Sequence, residues 1–97
     1  METKVADCRS WVARIAKIRD EEVRQAAERA LKMLPMRLRQ IRKQTGLTLQ
    51  QVAAEVGLTE SAIGQMERGI TIGSVMNICI LAAYYGVSVD WLLGGEW

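Results

Sequence analysis

The sequence contains no histidine and only two cysteines, Cys8 and Cys79. Two cysteines without histidine cannot supply the four ligands of an ordinary zinc site. Without histidine the chain also lacks the commonest general base and the usual partner of a serine or cysteine nucleophile. There is no glycine-rich phosphate-binding loop either. We therefore predict no enzymatic activity, no catalytic residue, no metal and no cofactor.

Long apolar runs are also absent, and no stretch is long enough to span a membrane. The N-terminal residues carry scattered charges where a signal peptide would have an apolar core. Both cysteines stand among apolar neighbours, which is typical of buried thiols in a reducing cytosol. The sequence thus predicts a cytoplasmic protein with no membrane role.

The net charge is only +2, which is low for a chain that holds nucleic acid without specificity. Any binding of DNA must therefore depend on where the charges are placed. With 97 residues, of which 49% are hydrophobic, the chain can form one compact domain with its own core.

The single proline, Pro35, separates two parts with different patterns. Residues 1–34 predict an N-terminal helical extension that serves dimerisation or partner binding. Its apolar residues recur at spacings of three and four, and they are Val5, Cys8, Trp11, Val12, Ile15 and Ile18. Asp20 followed by two glutamates is typical of a helix start. Whether Asp20 divides one long helix into two stays open. The charges of this part are interleaved, which indicates a solvated face.

Residues 35–97 predict a domain of five short helices. Pro35 suits the first turn of the first of them. The later helices begin at residues whose hydroxyl groups can cap them, namely Thr48, Thr59, Ser74 and Ser88. No alternating pattern indicates a strand, so the predicted fold class is all-α.

Residues 49–68 carry the pattern of two helices joined by a sharp turn. Ala53 is small enough to let the two backbones come close, and Gly57 can adopt the positive φ of such a turn. The apolar residues between them predict one shared core, and they are Val52, Val56, Leu58, Ile63 and Met66. This spacing is typical of a helix-turn-helix. The outer side of its second helix then carries Glu60, Ser61, Gly64, Gln65 and Arg68.

With this motif in place, the chain resembles the lambda-repressor-like, Cro-type (XRE) helix-turn-helix family, and especially phage repressors. The resemblance covers about Leu38 to Gly95. It rests on RQIRKQTGLT before the motif, on the motif itself, and on GVSVDWLLGG at the end of the domain.

The resemblance implies that helix 60–68 is a recognition helix that lies in the major groove of duplex DNA. It implies contacts to base edges or nearby phosphates at Thr59, Glu60, Ser61 and Gln65. Glutamine can bridge N6 and N7 of adenine, serine can serve either edge, and glutamate can accept from N4 of cytosine. The alternative is that these side chains form a solvated polar face.

We predict phosphate contacts for the five basic residues of the second part, which are Arg37, Arg39, Arg42, Lys43 and Arg68. Arg42 has two interpretations, a phosphate contact or an internal ion pair, and the resemblance implies that it pairs with Glu67. Three departures from the family weaken the expected binding. Leu49 replaces a common phosphate-binding glutamine, Gly64 lies inside the recognition helix, and the loop 69–73 is uncharged.

The segment from Ser74 to Val89 has no charged residue, and its helix is apolar on nearly all sides. Such a helix is buried on more than one face. The second face could be covered by the N-terminal helices or by a second copy of the chain. The resemblance implies dimer contacts at Val89, Trp91 and Leu92, and we predict a homodimer to which both coverings contribute.

These features favour a sequence-specific DNA-binding transcription regulator, a dimeric repressor that reads a two-fold operator. Its half-sites would lie about one helical turn, roughly 34 Å, apart. The alternative is an antitoxin-like or other protein-binding module that binds DNA weakly and holds a partner protein through residues 1–34.

Overall fold

A computed structural model of the chain describes residues 8–95, with side chains from residue 10 onwards. Over that range the chain forms six helices, which are α1 (Cys8–Ile15), α2 (Glu21–Thr45), α3 (Leu49–Val56), α4 (Glu60–Glu67), α5 (Val75–Tyr85) and α6 (Val89–Leu92). The predicted fold class, an all-α five-helix domain that follows an N-terminal helical extension, is confirmed. Val5 and the side chain of Cys8 lie outside the described part.

Every helix after α1 begins at a side chain that accepts a hydrogen bond from its first turn. These caps are Asp20, Thr48, Thr59, Ser74 and Ser88. The capping box of α3 is complete, since Gln51 N donates to Thr48 Oγ1 over 3.1 Å and Thr48 N donates to Gln51 Oε1 over 2.9 Å. Because the capping Asp20 has extended backbone angles, α1 and α2 are two separate helices.

The helix expected to begin at Pro35 instead runs through it, and α2 is 25 residues long. Proline fixes φ near the helical value, so it fits inside a helix, but it removes the hydrogen bond to the carbonyl of Leu31 at a cost of about 3 kcal/mol. Burial offsets this cost, since Leu34 and Leu38 on either side are both buried. The N-terminal extension and the five-helix domain thus share the single helix α2. The boundary between them at residue 35 stays a prediction about function.

The core lies where α2 to α6 meet. Its buried members are Leu34, Leu38, Val52, Ala53, Ile63, Met66, Ile78, Leu81, Ala82 and Leu92. All five core residues predicted for the helix-turn-helix are found as expected, since Val52, Ile63 and Met66 are buried in this core and Val56 and Leu58 pack against it. The core therefore fixes α4 by one face.

The apolar stripe of α1 faces α2 only in part. Ile15 is buried, Trp11 and Ile18 are half-buried, and Val12 is exposed. The guanidinium of Arg14 lies 4.2 Å from the centre of the Trp11 ring. Between α1, α2 and the loop after α4 there is an apolar groove of about 250 Å³.

The outer face of α5 is not covered by any of residues 8–95 of the same chain. Val75 and Met76 are 75% and 64% exposed, and Cys79 beside them is exposed as well. The expectation that Cys79 is buried is therefore wrong, because Ile78 and Leu81 of α5 turn to the core while Cys79 does not. The N-terminal helices pack on α2 rather than on this face, which leaves the second copy as the remaining candidate.

Candidate nucleic-acid interface

The turn between α3 and α4 sets the orientation of α4. Gly57 ends α3 with a φ of 74°, and Thr59 then caps α4. Ile63 and Met66 are buried on the inner side of α4. The first turn of α4 therefore projects from the domain while its inner face is held by the core.

The four predicted base-reading residues lie together on this projecting end. Glu60 and Ser61 are exposed, and Gln65 is half-buried one turn later. Gln65 Nε2 donates to Ser61 Oγ over 3.4 Å. The hydroxyl of Thr59 accepts from Ala62 N over 3.0 Å, so its position in the site is that of a cap. Whether these side chains read bases stays a prediction, but their placement side by side is what base reading needs.

A bidentate ion pair ties α4 to α2. Arg42 Nε donates to Glu67 Oε2 over 2.7 Å, and Arg42 Nη2 donates to Glu67 Oε1 over 2.9 Å. The third nitrogen, Nη1, donates to the carbonyl oxygen of Leu47 over 2.9 Å. The ion pair implied by the resemblance is confirmed. Each of the three Arg42 nitrogens donates inside the protein, and the predicted phosphate contact of Arg42 stays a prediction.

The side chains of this pair are largely buried from solvent. The side chains of Arg42 and Glu67 are 13% and 5% exposed. The hydrogen bonds that Arg42 donates to Glu67 raise the pKa of Arg42, against the opposing effect of burial. The Tyr85 hydroxyl is buried with no hydrogen-bond partner in the described part of the chain, and this burial, with the nearby Glu67 carboxylate, raises the pKa of Tyr85 to about 12.

Arg37 has an internal position that the sequence did not predict. Its Nη1 donates to the carbonyl oxygens of Trp91 and Gly95, and its guanidinium lies 4.7 Å from the centre of the Trp91 ring. The guanidinium thus fastens the C-terminal segment to α2, and the predicted phosphate contact of Arg37 stays a prediction. Nothing in the local sequence around Arg37 indicates a partner 54 residues away.

Three of the predicted phosphate-binding residues keep an outward position. Arg39, Lys43 and Arg68 are exposed, and none of them forms an ion pair within residues 8–95. They remain candidates for phosphate contacts.

Two of the departures from the family, Leu49 and Gly64, prove to be neighbours. A Cβ atom placed on Gly64 would lie 3.5 Å from Leu49 Cδ1 and only 3.2 Å from Arg68 Nη1. The side chain of Arg68 therefore folds back over the backbone of α4, into the room that glycine leaves. This brings a guanidinium beside Leu49, where the family often has a polar side chain.

The predicted dimer contacts at Val89, Trp91 and Leu92 stay a prediction. Leu92 is fully buried in the core of a single chain and offers no surface there. Val89 and Trp91 are half-buried and pack against the edge of the same core. The larger apolar surface lies instead on α5, at Val75 and Met76.

Other kinds of site find no support in the described range. Residues 8–95 contain no group of three side chains able to hold a metal ion. None of the helices described here combines the length and apolar character needed to cross a membrane.

Two helices joined at a left-handed glycine, with a polar projecting turn on the second and an ion pair behind it, define a helix-turn-helix protein. The sequence model of the helix-turn-helix family matches residues 38–92, and the chain belongs to this family. The predicted resemblance to a helix-turn-helix family is thus confirmed.

One similar protein is the "Uncharacterized HTH-type transcriptional regulator YobD" of Bacillus subtilis (strain 168). The two are 40% identical over 62 residues, which cover 64% of this chain and 55% of that protein. The chain therefore spans little more than half the length of this relative. No solved structure gives a significant match.

Removal of the carboxylate at Glu67 should destabilise the fold strongly. Glu67→Ala leaves the guanidinium of Arg42 unpaired in a largely buried position, and we expect the free energy of unfolding to fall by about 3 kcal/mol. Urea denaturation measures this change. Glu21→Ala, which breaks the exposed pair with Arg24, is the control and should cost less than about 1 kcal/mol. Similar losses in the two variants would contradict the role given to the Arg42–Glu67 pair.

Proposed function

We propose that this protein is a sequence-specific DNA-binding transcription regulator, a cytoplasmic repressor that binds a two-fold operator as a dimer. The observation that carries the proposal is the projecting first turn of α4, where Glu60 and Ser61 are exposed beside Gln65. A rigid helix end with polar side chains is what enters the major groove in this class of protein. Membership of the helix-turn-helix family supports it.

The chemistry of the turn suits the reading of bases. The hydrogen bond between Gln65 and Ser61 orients the amide of Gln65 before DNA is bound. An oriented glutamine can make two hydrogen bonds to adenine, at N6 and N7. Glu60 accepts from N4 of cytosine and repels phosphate, so it adds selectivity at the expense of affinity.

The phosphate contacts are assigned to the exposed cations Arg39, Lys43 and Arg68. They flank the ion pair that holds α4, so they can fix the register of the helix on the duplex without reading bases themselves. Each contact should add about 0.9 to the slope of the logarithm of affinity against the logarithm of salt concentration.

The dimer is proposed to form through the exposed face of α5, at Val75, Met76 and Cys79, together with Val89 and Trp91. An apolar surface of this kind is seldom left open to water in a monomer. Since the same patch serves both copies of a two-fold dimer, it would place two α4 helices on two half-sites.

A second candidate function is the binding of a partner protein through residues 1–34. The apolar groove of about 250 Å³ between α1, α2 and the loop after α4 favours it, because Trp11, Ile18 and Ile72 line the groove and are only partly buried. The selection experiment below separates the two candidates.

Selection of bound sequences from a random duplex DNA pool, at about 150 mM salt with competitor DNA, tests the main proposal. We expect a two-fold motif that is lost with Gln65→Ala and kept with Gln25→Ala, an exposed glutamine on the first half of α2. Failure of the native protein to enrich any motif would contradict specific DNA binding and leave the protein-binding module as the better account.

Gly64→Ala should raise stability and lower affinity for DNA. Alanine stabilises a helix by up to about 1 kcal/mol relative to glycine, but its Cβ would lie 3.2 Å from Arg68 Nη1, so the guanidinium would have to shift by a few tenths of an ångström. Denaturation and DNA titration measure the two effects. If the loss of affinity acts through Arg68, it disappears when Gly64→Ala is made in an Arg68→Gln background. Full affinity in Gly64→Ala alone would contradict the placement of Arg68 on phosphate.

A charge on the outer face of α5 should separate the dimer. Met76→Glu would place a carboxylate in the proposed apolar interface, and burying an unpaired charge there is too costly for the dimer to persist. Sedimentation velocity at micromolar concentration should then give a monomer, while Val12→Glu, on the exposed side of α1, should stay dimeric. A native protein that is monomeric at this concentration would refute the dimer.

A further inference from the structure

Basic side chains continue along α2 on both sides of Pro35. Lys32, Met36, Arg39 and Lys43 follow one another at spacings of four, three and four residues, which places them on one face of a helix. Because α2 is unbroken, Lys32 in the N-terminal extension stays in line with the two cations of the helix-turn-helix domain. At 1.5 Å per residue, the stripe is roughly 16 Å long.

This stripe forms one wall of a concave surface of about 420 Å³, hereafter the basic groove. Pro35 and Met36 lie within it, and Arg68 and Gly69 at the end of α4 close its other side. Lys32, Arg39, Lys43 and Arg68 are all exposed, and no ion pair engages them in the described part of the chain.

The groove carries an almost unopposed positive charge. Its single carboxylate is Glu67, which is bound on both oxygens by Arg42 and is 5% exposed. An internal pair of this kind contributes little net charge at the surface. The N-terminal extension has eight basic and six acidic residues in sequence, yet it contributes only Lys32 to this groove. The interpretation of its interleaved charges as a purely solvated face is therefore incomplete.

We propose that the basic groove binds the sugar-phosphate backbone of duplex DNA next to the bases that α4 reads, so that Lys32 carries the footprint beyond the helix-turn-helix. The inference rests on the proposed function. Every nucleotide of a DNA strand carries one phosphate, so more than one phosphate lies along a stripe of roughly 16 Å. Cations spread over such a length suit an extended polyanion better than one compact phosphate ion.

The path of the strand follows from the position of the groove. It adjoins the C-terminal end of α4, and the major groove that receives α4 is bordered by the two phosphate backbones. A strand that passes Arg68 continues over Lys43 and Arg39 and reaches Lys32 last. Lys32 thus contacts DNA outside the half-site and has no part in choosing the sequence.

The test uses the full chain and the selected operator with flanking duplex, titrated between about 50 and 200 mM salt. Lys32→Gln should lower the slope of log affinity against log salt by about 0.9, and Lys17→Gln, an exposed lysine outside the groove, should leave the slope unchanged. The ratio of specific to non-specific affinity should be the same in both variants.

A second arm shortens the flanking duplex. Trimming should weaken the native protein and Lys17→Gln, and it should have no further effect on Lys32→Gln, because the contact it removes is already lost. An unchanged slope in Lys32→Gln, with sequence selectivity that still depends on Gln65, would overturn the groove and keep the regulator. If the native protein binds DNA without selectivity, the proposed function is overturned, and the salt slopes still test whether the basic groove binds phosphates. If it binds no DNA, both proposals are overturned.

Discussion

The ion pair between Arg42 and Glu67 is the contact on which the rest of the site depends. It joins the end of α2 to the end of α4, and a bidentate pair fixes angle as well as distance. The Tyr85 hydroxyl nearby is buried without a hydrogen-bond partner among residues 8–95, and this burial raises the pKa of Tyr85 to about 12. Because the pair holds the C-terminal end of α4, the N-terminal turn with Glu60 stays free to contact DNA.

The same pair also decides where positive charge remains. By engaging Glu67 on both oxygens, Arg42 removes the one carboxylate that lines the basic groove. Arg37 is withdrawn in a similar way, since it donates to the carbonyls of Trp91 and Gly95. Arg37 and Arg42 thus hold parts of the fold together. The exposed cations that remain lie on one side of α2 and at the end of α4.

Local rules in the sequence predicted the caps, the turn at Gly57 and the Arg42–Glu67 pair, the last through the family resemblance. Each of the caps and the turn depends on residues within one or two turns of one another. The continuation of α2 through Pro35 could not be predicted, because proline fits the first turn and the interior of a buried helix with the same φ. The exposure of Cys79 depends on which face of the nearly all-apolar α5 meets the core, and hydrophobic periodicity does not settle that.

Because α2 is unbroken, it connects the N-terminal extension rigidly to the helix-turn-helix. The caps at Asp20 and Gly46 bound a single rod, and the ion pair with Glu67 fastens α4 near one end of it. A hinge at residue 35 would let Lys32 move independently of α4, whereas a continuous helix keeps it in register with Lys43 and Arg39. In the proposed complex with DNA a small net charge of +2 is enough, because one rigid element carries the uncompensated cations along the proposed path of a phosphate strand.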